Sequence, residues 1–166
     1  MKKKMMLSLL TALCSLLTAT AQDIRPVTWQ EQARWGATHS IEVRARDMTN
    51  AAANAPQVFT AELAGPCQYR FASAALDAPF SASLVTNAVS ATLTASVAGV
   101  NVVSGASVTA DPAPQVAWAP ATYAWTALTN GATATVTLTF SAPGAGVAWK
   151  EFDRGRARVF LHVLRP

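Results

Sequence analysis

An alternating run over residues 130–140, "NGATATVTLTF", constrains the fold more than any other stretch. Its period of two predicts a β-strand with one face on a hydrophobic core. The apolar side consists of Ala132, Ala134, Val136, Leu138 and Phe140. The opposite side consists of Thr133, Thr135, Thr137 and Thr139. Two interpretations of the threonine side stay open: a face toward solvent, and a face that packs against a second subunit or a larger assembly.

The same period recurs along most of the chain after residue 38. Ile41, Val43 and Ala45 alternate with charged residues. The last run places Ala157, Val159, Leu161 and Val163 on one side and Arg156, Arg158, Phe160 and His162 on the polar or mixed side. Turn formers separate the runs, and Pro79 is expected to end a strand. About eight short antiparallel strands without a long helix predict an all-β fold, a single β-sandwich with jelly-roll or immunoglobulin-like topology.

The N-terminus has the order of a cleavable signal peptide. Lys2, Lys3 and Lys4 precede a short apolar run, and Ala19-Thr20-Ala21 follows as a small-x-small cleavage site. We therefore expect residues 1–21 to be a signal peptide that does not pack into the fold, and the exported chain to begin at Gln22. Residues 22–37 form an N-terminal arm, in which Thr28 and Glu31 predict a short capped helix. Residues 38–166 form the β-sandwich domain.

Removal of the leader changes the charge and the cysteine content. The chain has 13 Lys and Arg against 9 Asp and Glu, a net charge of +4. Three of the lysines lie in the leader, so ten basic and nine acidic residues remain, a net charge of +1. This balance argues against a nucleic-acid partner, and no other apolar run predicts a membrane span. Cys67 is the one cysteine left, and its alternation with Tyr69 and Phe71 predicts a core position.

The chemistry-bearing residues do not form a catalytic pattern. His39 and His162 are interpreted as surface or interface histidines, and Glu151 and Asp153 as parts of a solvated turn. Arg156 and Arg158 point the same way from a strand, with Arg154 nearby, and could bind a carboxylate or phosphate. A charged face that discourages strand pairing is the favoured interpretation of the three arginines. The sequence predicts no enzyme, with no catalytic, cofactor-binding or metal-binding residues and no cofactor.

Three segments resemble small structural proteins of tailed-phage virions, of the head-decoration or head-fibre-like kind. The first is "IEVRARDMTNAAANAPQVFTAEL", with matching positions at Asp47, Met48, Thr49, Asn54, Gln57 and Thr60. The second is "ALDAPFSAS", at Pro79, Phe80, Ala82 and Ser83. The third comprises "YAWTALTNGATATVTLTFSAPGAGV" and "GRARVFLHVL", the latter at Gly155, Arg158, Val159 and Leu161. The resemblance covers residues 41–166, although "ASVAGVN" stands where that group carries a Gly/Asp-rich turn.

The resemblance implies a binding or structural role. The expected function is therefore a non-enzymatic structural or assembly protein that self-associates or joins a larger protein assembly. The alternative is an exported β-sandwich module of a bacterial envelope or surface that binds a glycan or a protein. The leader predicts export to the periplasm or the extracellular space, and the resemblance implies a place in the virion.

Overall fold

The computed structural model describes residues 20–85, 89–109, 116–118 and 124–166, with the backbone alone for 116–118. Most of these residues lie in β-strands, so the all-β prediction is confirmed. The strands are β1 (Thr20–Ala21), β2 (Arg25–Pro26), β3 (His39–Arg44), β4 (Gln57–Ala64), β5 (Cys67–Ser81), β6 (Thr92–Val97), β7 (Val100–Ser107), β8 (Val116–Trp118), β9 (Thr126–Leu128), β10 (Thr133–Phe140) and β11 (Arg154–Leu164). One α-helix, α1 (Trp29–Trp35), and two 3₁₀ turns, Ala45–Asp47 and Trp149–Glu151, complete the described structure.

Two sheets contain all of these strands. The first has the order β1-β4-β10-β6-β7, and the second has the order β2-β3-β11-β5-β8, with β9 also pairing with β5. The neighbouring strands are antiparallel except for β1, which runs parallel to β4. Asn130 and Gly131 form the turn between β9 and β10. This turn therefore carries the chain from the second sheet to the first.

The apolar faces of the two sheets form one core. Side chains of both sheets contribute, and five aromatic rings, those of Phe59, Phe80, Phe140, Trp149 and Phe152, pack at centroid distances of 4.5–6.0 Å. Trp149 is fully buried and donates its indole N–H to the carbonyl of Ser141 at 3.0 Å, so its polar atom is satisfied. Cys67 is 4% exposed, which confirms its core position.

Two strand ends differ from the sequence prediction. β5 continues through Pro79 to Ser81, so the expectation that Pro79 ends a strand is wrong. The pairing of β5 with β11 shifts register between Arg154 and Arg156, opposite Pro79, which marks a β-bulge. Because the ladder of hydrogen bonds is interrupted at a bulge, the strand does not need the N–H that proline lacks. β3 ends at Arg44, and Ala45 begins a 3₁₀ turn instead of continuing the strand.

Helix α1 covers part of the outer face of the second sheet. Thr28 and Glu31 form the predicted capping box, and Gly36 ends the helix with a φ of 60°. The Trp35 ring stacks on Phe160 at 5.2 Å, and Phe160 is fully buried in a small cluster with Ala37 and Ala75. Phe160 thus lies on the side opposite the main core, the side predicted to be polar or mixed, but it is buried there because the helix supplies a second apolar layer.

The N-terminal arm crosses the open side between the two sheets. Thr20 and Ala21 pair with Phe59 and Thr60 on β4, so the expectation that residues 1–21 stay outside the fold is wrong for these two residues. Arg25 and Pro26 pair with β3 in the other sheet. Residues 1–19 lie outside the described part of the chain. Within the described part, no helix is long and apolar enough to cross a membrane.

Candidate assembly surface

The threonines of the opening run lie on the outer surface of the first sheet. Ala134, Val136, Leu138 and Phe140 are buried, which confirms the alternation. We call the opposite side the threonine face, and it consists of Val58, Thr60, Glu62, Thr92, Thr94, Ser96, Thr133, Thr135, Thr137 and Thr139. Thr135 is exposed, and Thr137 is partly shielded by its neighbours.

Strand register arranges these side chains in rows. Thr137 lies between Thr60 on β4 and Ser96 on β6, and Thr139 lies between Val58 and Thr94. Neighbouring strands are about 4.8 Å apart, and side chains on one face recur about every 6.7 Å along a strand. Small side chains that carry hydroxyl and methyl groups therefore lie side by side in rows across three central strands.

Charge is almost absent from this surface. Among the positions that define the threonine face, Glu62 is the one charged residue, and it lies on β4 at the side of the face. From residue 79 to residue 148 the sequence holds a single charged residue, Asp111, which lies outside the described residues. Threonine and serine lose far less hydration energy on burial than ionised groups do, so this surface is inexpensive to cover with another protein.

The outer face of the second sheet has the opposite character. It carries helix α1 on the Phe160 side and an ion-pair network beside it. Arg158 donates two hydrogen bonds to Asp77, at 2.6 and 2.7 Å, and also pairs with Glu31 of the helix. The Arg158 and Asp77 side chains are only 11% and 14% exposed. The network therefore holds the helix to the sheet.

Two further arginines of this face, Arg44 and Arg156, are also paired with carboxylates. Arg156 contacts Glu42 at 2.6 Å and Asp77 at 3.4 Å, and Arg44 pairs with Glu42. Arg156 and Arg158 thus point the same way, which the strand alternation predicts. Because each meets carboxylates of its own chain, the geometry favours the charged-face interpretation over a site that binds an external anion.

Two carboxyl groups of the network have lowered pKa values. Burial acts to raise the pKa of Glu31, but hydrogen bonds from Thr28 and the charge of Arg158 outweigh it and lower the pKa. Burial likewise acts to raise the pKa of Glu42, and the hydrogen bonds and charges of Arg44 and Arg156 lower it. Both carboxylates therefore favour folding in their ionised form.

We expect the folded chain to lose stability in acid through this network. A carboxyl group whose folded pKa lies below its unfolded value stabilises the fold above about pH 4.3, and this contribution disappears as the pH falls through the folded pKa. Urea unfolding between pH 7 and pH 3 should show the loss, at less than about 1 kcal/mol for each pair. Glu42→Gln should flatten part of the pH dependence, because it removes a carboxyl group whose pKa is lowered in the folded state. Equal pH profiles for Glu42→Gln and the parent would contradict the assignment.

The other candidate residues occupy separate places. His39 accepts or donates a 2.9 Å hydrogen bond with the Thr38 hydroxyl, and its pKa is lowered by burial and by the charges of Arg165 and His162. Glu151 lies on an exposed 3₁₀ turn, and Asp153 accepts a hydrogen bond from the Ser83 N–H at 3.3 Å. The solvated-turn interpretation of Glu151 and Asp153 is confirmed by their exposure.

The sequence did not predict an exposed aromatic group around Trp125. Trp125 is 42% exposed, the Arg70 guanidinium lies 5.0 Å from its ring centroid, and His162 meets it edge to face at 5.3 Å. His162 donates its Nδ1 proton to the carbonyl of Gly36 at 2.9 Å. A cleft of about 310 Å³ lies beside this group and is lined in part by Tyr69 and Val100. Since Arg70 and Trp125 are 55 residues apart in the chain, local pattern gave no signal for their contact.

Within the residues that the structure describes, no three His, Cys, Asp or Glu side chains come together as a metal-binding group. Comparison of the chain with protein-family models, with curated proteins and with solved structures found no match.

Proposed function

We propose that this protein is a non-enzymatic structural protein that assembles with protein surfaces through its threonine face, in the manner of a phage head-decoration or fibre-like protein. The observation that carries the proposal is the contrast between the two outer faces. The second sheet is covered by α1 and by a network of paired charges, whereas the first sheet presents aligned threonines and serines. A surface that costs little to dehydrate is suited to assembly.

The order of the strands supports the same function. With β8 and β9 counted as one strand, the eight strands from β3 to β11 are ordered first, eighth, third and sixth in one sheet. In the other sheet they are ordered second, seventh, fourth and fifth. This order favours a jelly roll over an immunoglobulin-like topology, and jelly rolls build many viral capsid and lectin domains. Because fold alone does not define function, the proposed function rests mainly on the composition of the threonine face.

A second function is favoured by a different observation. An exported envelope or surface module that binds a glycan would need an exposed aromatic ring with hydrogen-bond donors beside it. Trp125, with Arg70 and His162, provides such a group, and lectin domains share the jelly-roll architecture. The two functions differ in where the protein is found. Recovery from purified particles would support the assembly function, and recovery from the periplasm or cell surface would support the glycan-binding module.

We expect the protein recovered from its native source to begin at Gln22. The leader order of lysines, apolar run and Ala19-Thr20-Ala21 predicts cleavage after Ala21. Fractionation followed by mass spectrometry of the N-terminal peptide measures both the location and the first residue. A peptide that begins at Met1 would contradict the signal-peptide prediction, and it would agree with a virion protein that assembles in the cytoplasm.

A further inference from the structure

Among the residues that the structure describes, only a short segment pairs with the outer edge of β4. On its inner edge, all eight residues from Gln57 to Ala64 pair with β10. On its outer edge, Thr20 and Ala21 pair with Phe59 and Thr60, and the Gln22 N–H donates to the carbonyl of Thr60 at 2.7 Å. The chain then leaves β4 and crosses to the second sheet. Of the three residues that contact this edge, Thr20 and Ala21 precede the expected cleavage position, and Gln22 follows it.

A buried polar side chain marks the place where Thr20 lies. Gln57 is only 2% exposed and is the one polar residue in the buried set that the structure describes. Its side-chain oxygen accepts from the Asn50 N–H at 2.8 Å. Its amide nitrogen donates to the Thr20 hydroxyl at 3.4 Å and to the carbonyl of Val58 at 3.5 Å. The hydroxyl of Thr20 is therefore the side-chain acceptor that this amide meets.

The edge continues into an open cleft. The carbonyl of Thr60 points outward to the arm, and backbone groups on one edge of a strand recur at every second residue. The N–H and C=O groups of Glu62 therefore point the same way. A cleft of about 750 Å³ lies there, between the β4 segment from Thr60 to Ala64 and the arm segment from Ala21 to Pro26. An extended chain entering along β4 would find backbone partners beyond those that Thr20 and Ala21 use.

We propose that removal of the leader after Ala21 converts the outer edge of β4 into a site for an extended segment of a partner protein. The segment lies parallel to β4 and carries serine or threonine between two small residues, so that its hydroxyl takes the place of Thr20 beside Gln57. Main-chain hydrogen bonds to β4 supply affinity, and the amide of Gln57 supplies selectivity. This inference rests on the proposed assembly function and on cleavage after Ala21, and it gives the assembly a second contact besides the threonine face.

The test uses a chain of residues 22–166 produced directly, without the leader and labelled with ¹⁵N. The probes are a synthetic peptide of residues 17–21, LTATA, and its Thr20→Val variant. We expect LTATA, in the register that pairs Thr20 with Phe59, to shift the NMR signals of the Gln57 side-chain amide and of the Val58 and Thr60 backbone amides. It should bind about fivefold more tightly than the valine peptide, the ratio that one neutral hydrogen bond provides. In a folded Gln57→Leu protein the two peptides should bind equally.

Three results would overturn the inference. The first is that neither peptide shifts these amides at millimolar concentration. The second is that both peptides bind the parent protein equally. The third is that the protein dimerises through β4 with no peptide present, which would assign the edge to a second copy. Because the protein lacks the leader from the start, these results do not depend on processing in the cell. Particle association measured on threonine-face variants is a separate readout, so the failure of one proposal is distinguishable from the failure of the other.

Discussion

Val136→Asp is expected to unfold the protein at room temperature. Val136 is fully buried at the centre of β10, between Ala61 on β4 and Val97 on β6. A carboxylate at this position would lose its hydration without gaining a partner, and such a penalty is comparable to the whole free energy of unfolding, about 5–15 kcal/mol. Circular dichroism and a thermal scan measure the effect. The expected result is the loss of the cooperative transition.

Thr135→Lys is the matched control for Val136→Asp. It introduces a charge one residue away on the same strand, but its side chain lies on the exposed side. We expect its melting transition to remain close to that of the parent. A folded Val136→Asp protein, or an unfolded Thr135→Lys protein, would show that the threonines of β10, and not its apolar side chains, face the core.

Phe160→Ala is expected to lower the free energy of unfolding by about 3–5 kcal/mol. Phe160 is fully buried on the outer side of β11, where it stacks on Trp35, and the Arg158 guanidinium lies 5.0 Å from its ring. Its truncation removes the apolar contact that holds α1 to the sheet. Urea unfolding measures the loss, and amide exchange in α1 should accelerate.

An exposed tryptophan of the same helix provides the control for Phe160→Ala. Trp29 is 74% exposed, so Trp29→Ala should change the free energy of unfolding by no more than about 0.5 kcal/mol. If Phe160→Ala also had so small an effect, α1 would not form a second apolar layer on the sheet. That result would contradict the assignment of α1 as a cover of the outer face of the second sheet.

Period-two alternation was enough to predict the strands whose two sides differ in polarity. The buried set of β10 follows directly from the sequence, as does the core position of Cys67. The sequence also predicted the capping box of α1, because Thr28 and Glu31 are only three residues apart. In each case the signal is local, either within one strand or within one helical turn.

Long-range packing explains where the sequence prediction failed. Phe160 has the spacing of an outward residue, and only the docking of α1 from more than 120 positions away buries it. Pro79 is a strand breaker in isolation, but the bulge opposite it on β11 tolerates the missing donor. The contact of Arg70 with Trp125 and the pairing of Thr20 with Phe59 also depend on the tertiary fold.

The threonine face is tested most directly by light scattering on the parent, Thr137→Lys and Gln68→Lys. Thr137 lies at the centre of the face, and Gln68 is an exposed position on β5 of the other sheet, so both variants gain the same charge. We expect all three proteins to fold alike by circular dichroism, and we expect the parent and Gln68→Lys to associate as the protein concentration rises. Thr137→Lys should stay monomeric, since a lysine there would be desolvated without a partner. Association of Thr137→Lys at the level of the parent, or a parent that stays monomeric and is absent from particles, would contradict the assignment of this face to assembly.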